Sequence, residues 1–280
     1  RLSQQSLEFM GMNLRANESI ISDSIVFTFN GQHELSDFIE KVNINAHLKN
    51  TLIQPKDLAL FAPEAGRMTQ PIRLNGMFKG KVDNFRFTNM EVTTGNTVLR
   101  GSLHMEGLPD ISETFIIADL KNSRLEFGDL SFVINQNFMA RLTPIGRVSM
   151  DGQFLGYPND FVAKGNFSGT LGSITSDINF KVNEKDFDRS VYSGNLVLRD
   201  FDLGRYLKDT LNFQRVSMGG KVKGSGLTLA TADFKLDGEV KSIGIRNYNY
   251  KNIKTNARFA SQLFNGRLKI DDPNLQFDAH

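Results

Sequence analysis

Cysteine and tryptophan are missing from this chain of 280 residues, and tyrosine is scarce, at five against 23 phenylalanines. Without thiols there are no disulfides, no zinc–thiolate centres and no thiol catalysis, which suits a reducing compartment and a bacterial periplasm alike. No apolar run approaches the ~20 residues that cross a bilayer as a helix. No signal peptide is visible at Arg1. The opening RLSQQSLEF, without Met, reads as an internal segment, so a membrane anchor is expected outside it. Net charge is only +2, too small a bias to suggest nucleic acid, which needs a concentrated basic patch.

Signatures of chemistry are equally sparse. His33, His47, His104 and His280 show neither HxH nor HExxH spacing, so no metal site is expected. The stretch 76–82 is one residue short of a phosphate loop, and Val82 stands where Ser or Thr would meet magnesium. The stretch 219–226 fails likewise and reads as strand glycine. Neither GxSxG nor an EF-hand loop occurs. Asp271-Asp272, the best carboxylate pair, precedes Pro273 and reads as a turn. No enzyme is expected.

What the chain does have is alternation. In 72–107, Ile72, Leu74, Gly76, Phe78 and Val82 fall on one parity, and Arg73, Asn75, Lys79 and Lys81 on the other. A strand sends successive side chains to opposite faces, so this is one greasy face and one wet face. Asp83-Asn84 turns the chain, Phe85 and Phe87 resume, and Leu103 and Met105 follow after Gly95-Asn96. Similar units recur. Ile25, Phe27 and Phe29 share a face in 24–30, and Ile44, Ala46 and Leu48 in 42–49. Phe154 and Phe167 flank the turn 157–160. Ile178, Phe180 and Val182 follow, then Leu196 and Leu198, then Val216, Met218 and Val222. Phe234, Leu236 and Val240 come next, then Ile253, Ala257 and Phe259, and finally Leu268 and Ile270. Strands are also expected at 115–118 and 130–134.

Short helices are expected over 35–41, after Pro55 with Leu58, Phe61 and Ala62 on one face and Pro63 as the stop, and after Asp202 as a cap with Leu203, Tyr206 and Leu207 inward. The strand texture has no interdomain linker, so residues 1–280 read as a single continuous segment. Uninterrupted repetition favours an elongated array whose units touch mainly their neighbours. Its apolar face either closes into a core or stays open as a trough, and a large open apolar surface marks a binding site. Phe-rich, Tyr-poor composition suits a purely apolar lining, although core filling is the commoner fate of any one Phe.

Charge is uneven. From Arg215 to Lys269, eleven Lys or Arg stand against three acids, an excess of eight. Such a run reads first as a solvated outer face, and otherwise as attraction to anionic head groups or an acidic partner.

Several segments in order resemble the TamB family, within the AsmA-like group of bridge-like proteins. They are Asp57-Leu58-Ala59-Leu60-Phe61-Ala62-Pro63, the Ile72-x-Leu74-x-Gly76-x-Phe78-x-Gly80 run to Phe85, Gly101-x-Leu103-x-Met105-x-Gly107-Leu108-Pro109-Asp110, residues 202–209, and Gly266-x-Leu268-x-Ile270-Asp271-Asp272-Pro273. The resemblance implies an all-β fold, an elongated, twisted antiparallel-strand sheet rolled into a hydrophobic groove (a β-taco) with one to three short helices. It implies a periplasmic segment of an inner-membrane-anchored protein of a diderm bacterium. That protein would carry phospholipid between membranes and reach an Omp85-type outer-membrane barrel of the TamA type. No cofactor is implied beyond a bound phospholipid or detergent, and no nucleic acid. The lining would be the apolar parity named above: Ile72, Leu74, Phe78, Val82, Phe85, Phe87, Leu103 and Met105, then Phe154, Phe167, Ile178, Phe180, Val182, Leu196 and Leu198, then Val222, Phe234, Leu236, Val240, Phe259, Leu268 and Ile270. The competing expectation is an assembly module for outer-membrane proteins or autotransporters, with a strand edge templating an incoming strand. A closed β-sandwich or solenoid adhesin is the third.

Overall fold

The computed structural model describes residues 1–60, 63–132, 136–260 and 263–279. The protein is all-β. It divides into two compact units, one of Arg1–Gln136 with Gln153–Pro158, the other of Asn137–Gly152 with Asn159–His280.

The first unit holds β1 (Ser6–Ala16), β2 (Ser19–Thr28), β3 (Asn43–Ile53), β4 (Ile72–Gly80), β5 (Asn84–Thr94), β6 (Thr97–Glu106) and β7 (Phe115–Glu126). Each pairs antiparallel with the strand next in sequence. β8 (Arg147–Tyr157) opens the second set. It is followed by β9 (Asp160–Gly169), β10 (Gly172–Lys181), β11 (Val191–Asp202), β12 (Phe213–Ser225), β13 (Asp233–Ile245), β14 (Tyr248–Ala260), β15 (Leu263–Asp272) and β16 (Leu275–Ala279). From β9 onward the pairing again runs in chain order.

Tight turns make this meander. Arg246 and Asn247 both have positive φ (46° and 66°) between the paired Ile245 and Tyr248, the backbone of a two-residue hairpin loop. At 94–97 the loop is held from outside. Asp129 accepts from the Asn96 and Thr97 N–H groups at 2.9 Å and from the Thr97 hydroxyl at 2.8 Å.

Bulges interrupt the ladders at a recurring place. Asn50, Asn89, Asn122 and Asp200 adopt positive φ between 47° and 52°, and a register shift lies beside each. Asparagine and aspartate tolerate this left-handed conformation better than other side chains. The residue after each bulge then turns inward and is buried: Thr51, Met90, Ser123 and Phe201. Two of these replace the lost ladder bonds. The Thr51 hydroxyl donates to the Ser22 carbonyl (2.7 Å) and accepts from its N–H (3.2 Å). Ser123 serves Arg100 in the same way, at 3.2 and 2.8 Å.

Several expectations change. β1 and β16 were not anticipated. The helix expected over 35–41 is a 3-10 turn, Gln32–Asp37, running into α1 (Phe38–Lys41). Pro55 does open α2 (Pro55–Leu58), and a 3-10 turn, Pro63–Arg67, follows, while Phe61 and Ala62 lie outside the described residues. The strand expected over 130–134 begins instead as the end of a 3-10 turn, Phe127–Leu130, and Val133 and Ile134 lie outside the described residues. An unforeseen α3 (Gln136–Leu142) follows. Apolar content alone does not separate a short strand from a helical turn. Asp202 caps α4 (Leu203–Leu207), accepting from the Arg205 N–H at 3.0 Å, as the spacing suggests.

The apolar face as candidate functional site

In an antiparallel pair, residues directly opposite each other point to the same face. The register therefore shows whether the apolar parity of one strand meets that of the next. In the first unit it does. Phe9, Ile25, Ala46, Phe78, Phe87, Leu103 and Ala118 stand opposite one another in turn from β1 to β7. At 4.7–4.9 Å between strands the row spans roughly 29 Å. A neighbouring row adds Phe85 opposite Met105, and the Phe78 ring stacks on Phe85 at 4.5 Å. Ile25, Ala46, Leu48, Phe87 and Met90 are buried in this cluster, with Met12, Leu74, Phe78, Phe85 and Leu103 half-buried against them.

The second unit repeats the device. Phe167, Ile174, Leu198, Met218, Val240, Ile253, Ile270 and Phe277 form one row from β9 to β16, roughly 33 Å long. A second row runs Phe161, Phe180, Tyr192, Gly224, Phe234, Phe259 and Phe264. Phe161 stacks on Phe180 at 5.6 Å, and Phe234 on Phe259 at 5.2 Å. Glycines sit where the strands approach most closely. A Cβ on Gly194 (φ 144°) would lie 2.0 Å from the Asp177 carbonyl oxygen, and one on Gly101 (φ 138°) 1.9 Å from that of Asp119.

Among the described residues the strands pair only with their sequence neighbours, in a single sheet. Covering comes from short elements. Leu203 and Tyr206 of α4 pack on the second cluster with Ile145. Beside them opens a cavity of about 250 Å³, lined by Tyr206, Leu207, Lys208, Leu227 and Leu229 among others. Tyr192 is the one hydroxyl in the aromatic row. It donates to the Gly226 carbonyl at 3.2 Å, and burial pushes its pKa up to about 12.

The anticipated lining residues divide three ways. Leu74, Phe78, Phe85, Phe87 and Leu103 lie in the first cluster, and Ile178, Leu196, Leu198, Val222, Phe234, Leu236, Val240, Phe259, Leu268 and Ile270 in the second. Ile72, Met105, Phe167 and Phe180 share the face by register without belonging to either packed cluster, and Phe154 is half-buried in β8. Val82 and Val182 fall outside the strands. β4 ends at Gly80 and β10 at Lys181, so alternation gives these two no face. Alternation alone missed Met90 and Phe201, because the bulges before them reverse parity. It also missed Leu171 and Tyr192, which sit near strand ends, whereas Tyr206 was placed inward by helical spacing.

Among the described residues no group of three or more His, Cys, Asp or Glu is arranged to hold a metal ion, and no helix is long and apolar enough to cross a membrane. His47 pairs with Asp23 at 2.9 Å, and His104 with Asn84 at 3.1 Å, each on the polar face. Comparison with family models, curated proteins and solved structures returns no match for this chain.

Proposed function

We propose that the apolar face of each unit holds lipid acyl chains, and that the chain is a segment of a bridge-like phospholipid carrier of the periplasm. The supporting observation is the register: apolar residues meet strand after strand, and the hydroxyls of Ser176, Tyr192 and Thr255, which share the face, each hydrogen-bond to a backbone carbonyl. Each CH2 taken from water contributes about 0.8 kcal/mol, so a two-chain lipid is held strongly in total. Successive positions along a row offer the same chemistry, so sliding changes little in free energy from step to step. The resemblance to the TamB family points the same way and adds an Omp85-type barrel as partner of the full-length protein.

The test is lipid bound to the purified protein. Native mass spectrometry should find co-purified phospholipid, and a photoactivatable acyl chain should crosslink to Phe234 and Phe78. Phe234→Arg, at a half-buried position, should abolish crosslinking at β13 while circular dichroism stays unchanged. A folded Phe234→Arg variant that carries lipid as well as the parent would sink this reading. Crosslinks from a strand edge to a nascent barrel protein, with no lipid found, would favour the assembly-module alternative.

A further inference from the structure

The opposite face of the second unit is charged, and on β12 to β15 its cations outnumber the carboxylates that face them. On β9 and β10 the register sets opposites across from each other. Lys164 faces Asp177 (3.5 Å) and Lys181 faces Asp160 (3.3 Å). On β12 to β15 like charges also meet, although Lys221 faces Asp237 and Glu239 faces Lys254. Lys223, Lys235 and Arg258 stand in one row, and Lys254 faces Lys269 in another. Between these rows Lys221, Asp237, Asn256 and Arg267 line up. The three rows hold seven cations and two carboxylates, Asp237 and Glu239. All seven cations are exposed. Asp233 borders the field and pairs with Arg258, and Asp278 faces Lys269 across the last ladder.

Like charges directly opposite on a sheet destabilise it. This unit therefore keeps an arrangement that costs it stability, next to strands where charges are matched. We infer that the β12–β15 outer face docks on a membrane surface of anionic phospholipid head groups. Three features select that partner. The cations form a two-dimensional array, with rows about 4.8 Å apart in one direction and about 6.8 Å in the other, which suits a plane of anions better than a linear polymer. Five of the seven are lysines, point charges suited to diffuse attraction rather than to bidentate recognition. The three rows contain no aromatic side chain on which a nucleobase could stack. This surface lies opposite the apolar lining, so the acyl-chain reading stands or falls separately.

The test is sedimentation of the full chain with vesicles of phosphatidylglycerol and phosphatidylcholine, against phosphatidylcholine alone. Binding should need the anionic lipid and fade with added salt, since exposed charges are screened within about 8 Å at physiological ionic strength. Lys223→Glu with Lys235→Glu should weaken it roughly 30-fold or more. Lys164→Gln, outside the field, should leave it unchanged. Lys235→Glu alone should weaken vesicle binding yet raise the melting temperature of the free protein, because it breaks the Lys223–Lys235–Arg258 row. Equal binding to both vesicle types, unchanged binding by the double variant, or tight capture of soluble polyglutamate at a salt concentration that releases the vesicles would each overturn the inference.

Discussion

Asn50, Asn89, Asn122 and Asp200 decide which side chains reach the apolar face beyond them. Each takes a left-handed backbone that costs most residues about 1–2 kcal/mol. Asn89→Gly should therefore leave stability within a few tenths of a kcal/mol, while Asn89→Val should lose about 1–2 kcal/mol, read as a shift in urea midpoint. The hydroxyls that follow are tested in the same way. Thr51→Val leaves the N–H and carbonyl of Ser22 without their partner and should cost about 1–3 kcal/mol. Thr51→Ser should restore most of that loss. Asp272 is a residue-scale switch of another kind. The Tyr248 hydroxyl, then the Asn274 and Lys251 N–H groups, hold its carboxyl below the usual carboxylate range against the opposing effect of burial. A carboxyl depressed on folding stabilises above its unfolded pKa of about 3.9 and loses that contribution as pH falls through the folded value. Asp272→Asn should flatten the acid limb of the melting-temperature profile below about pH 4, leaving the rest of the curve parallel.

At the scale of elements, alternation was enough to find most strands and the apolar side of each. Phe234, Leu236 and Val240 on β13 needed nothing more, because no register shift separates them in the β13–β14 ladder. Reading failed where parity is not conserved. After Phe87 the next inward residues are Met90 and Val92, not Asn89 and Glu91 as unbroken alternation would have it, since the bulge at Asn89 inserts one residue. The signal was present in the sequence as Leu-Lys-Asn-Thr, Phe-Thr-Asn-Met, Leu-Lys-Asn-Ser and Leu-Arg-Asp-Phe, at 48–51, 87–90, 120–123 and 198–201. An apolar residue, a polar one, then Asn or Asp is a bulge pattern, and counting through it loses the face. The β12–β15 charge field was visible only as an excess of cations along the chain. Which of them stand opposite each other is set by register, which composition does not carry. Glycine belongs to this scale as well. Gly194→Ala places a methyl against the Asp177 carbonyl and forces an unfavourable φ, so it should cost about 1–3 kcal/mol and loosen the β10–β11 ladder. Hydrogen exchange of β10 and β11 amides would read both effects.

At the scale of the whole molecule, pairing between sequence neighbours makes stability a sum of local terms. Buried clusters centre on β2–β6 in one unit and β11–β14 in the other. Urea unfolding should therefore be broad, with a slope well under that of a two-state protein of this length, and exchange protection should peak on those strands. A single sharp transition with uniform protection would contradict this. Uninterrupted repetition made neighbour-to-neighbour pairing legible in the sequence, but the division into units was not, since it depends on how densely successive ladders pack.

A meander whose strands bond only to those before and after them has no fixed size. Adding one hairpin to it lengthens the surface by about 9.6 Å and leaves every existing ladder intact. Length is then a quantity that duplication or loss of a few dozen codons can adjust, with no ladder already in place redesigned to accommodate it.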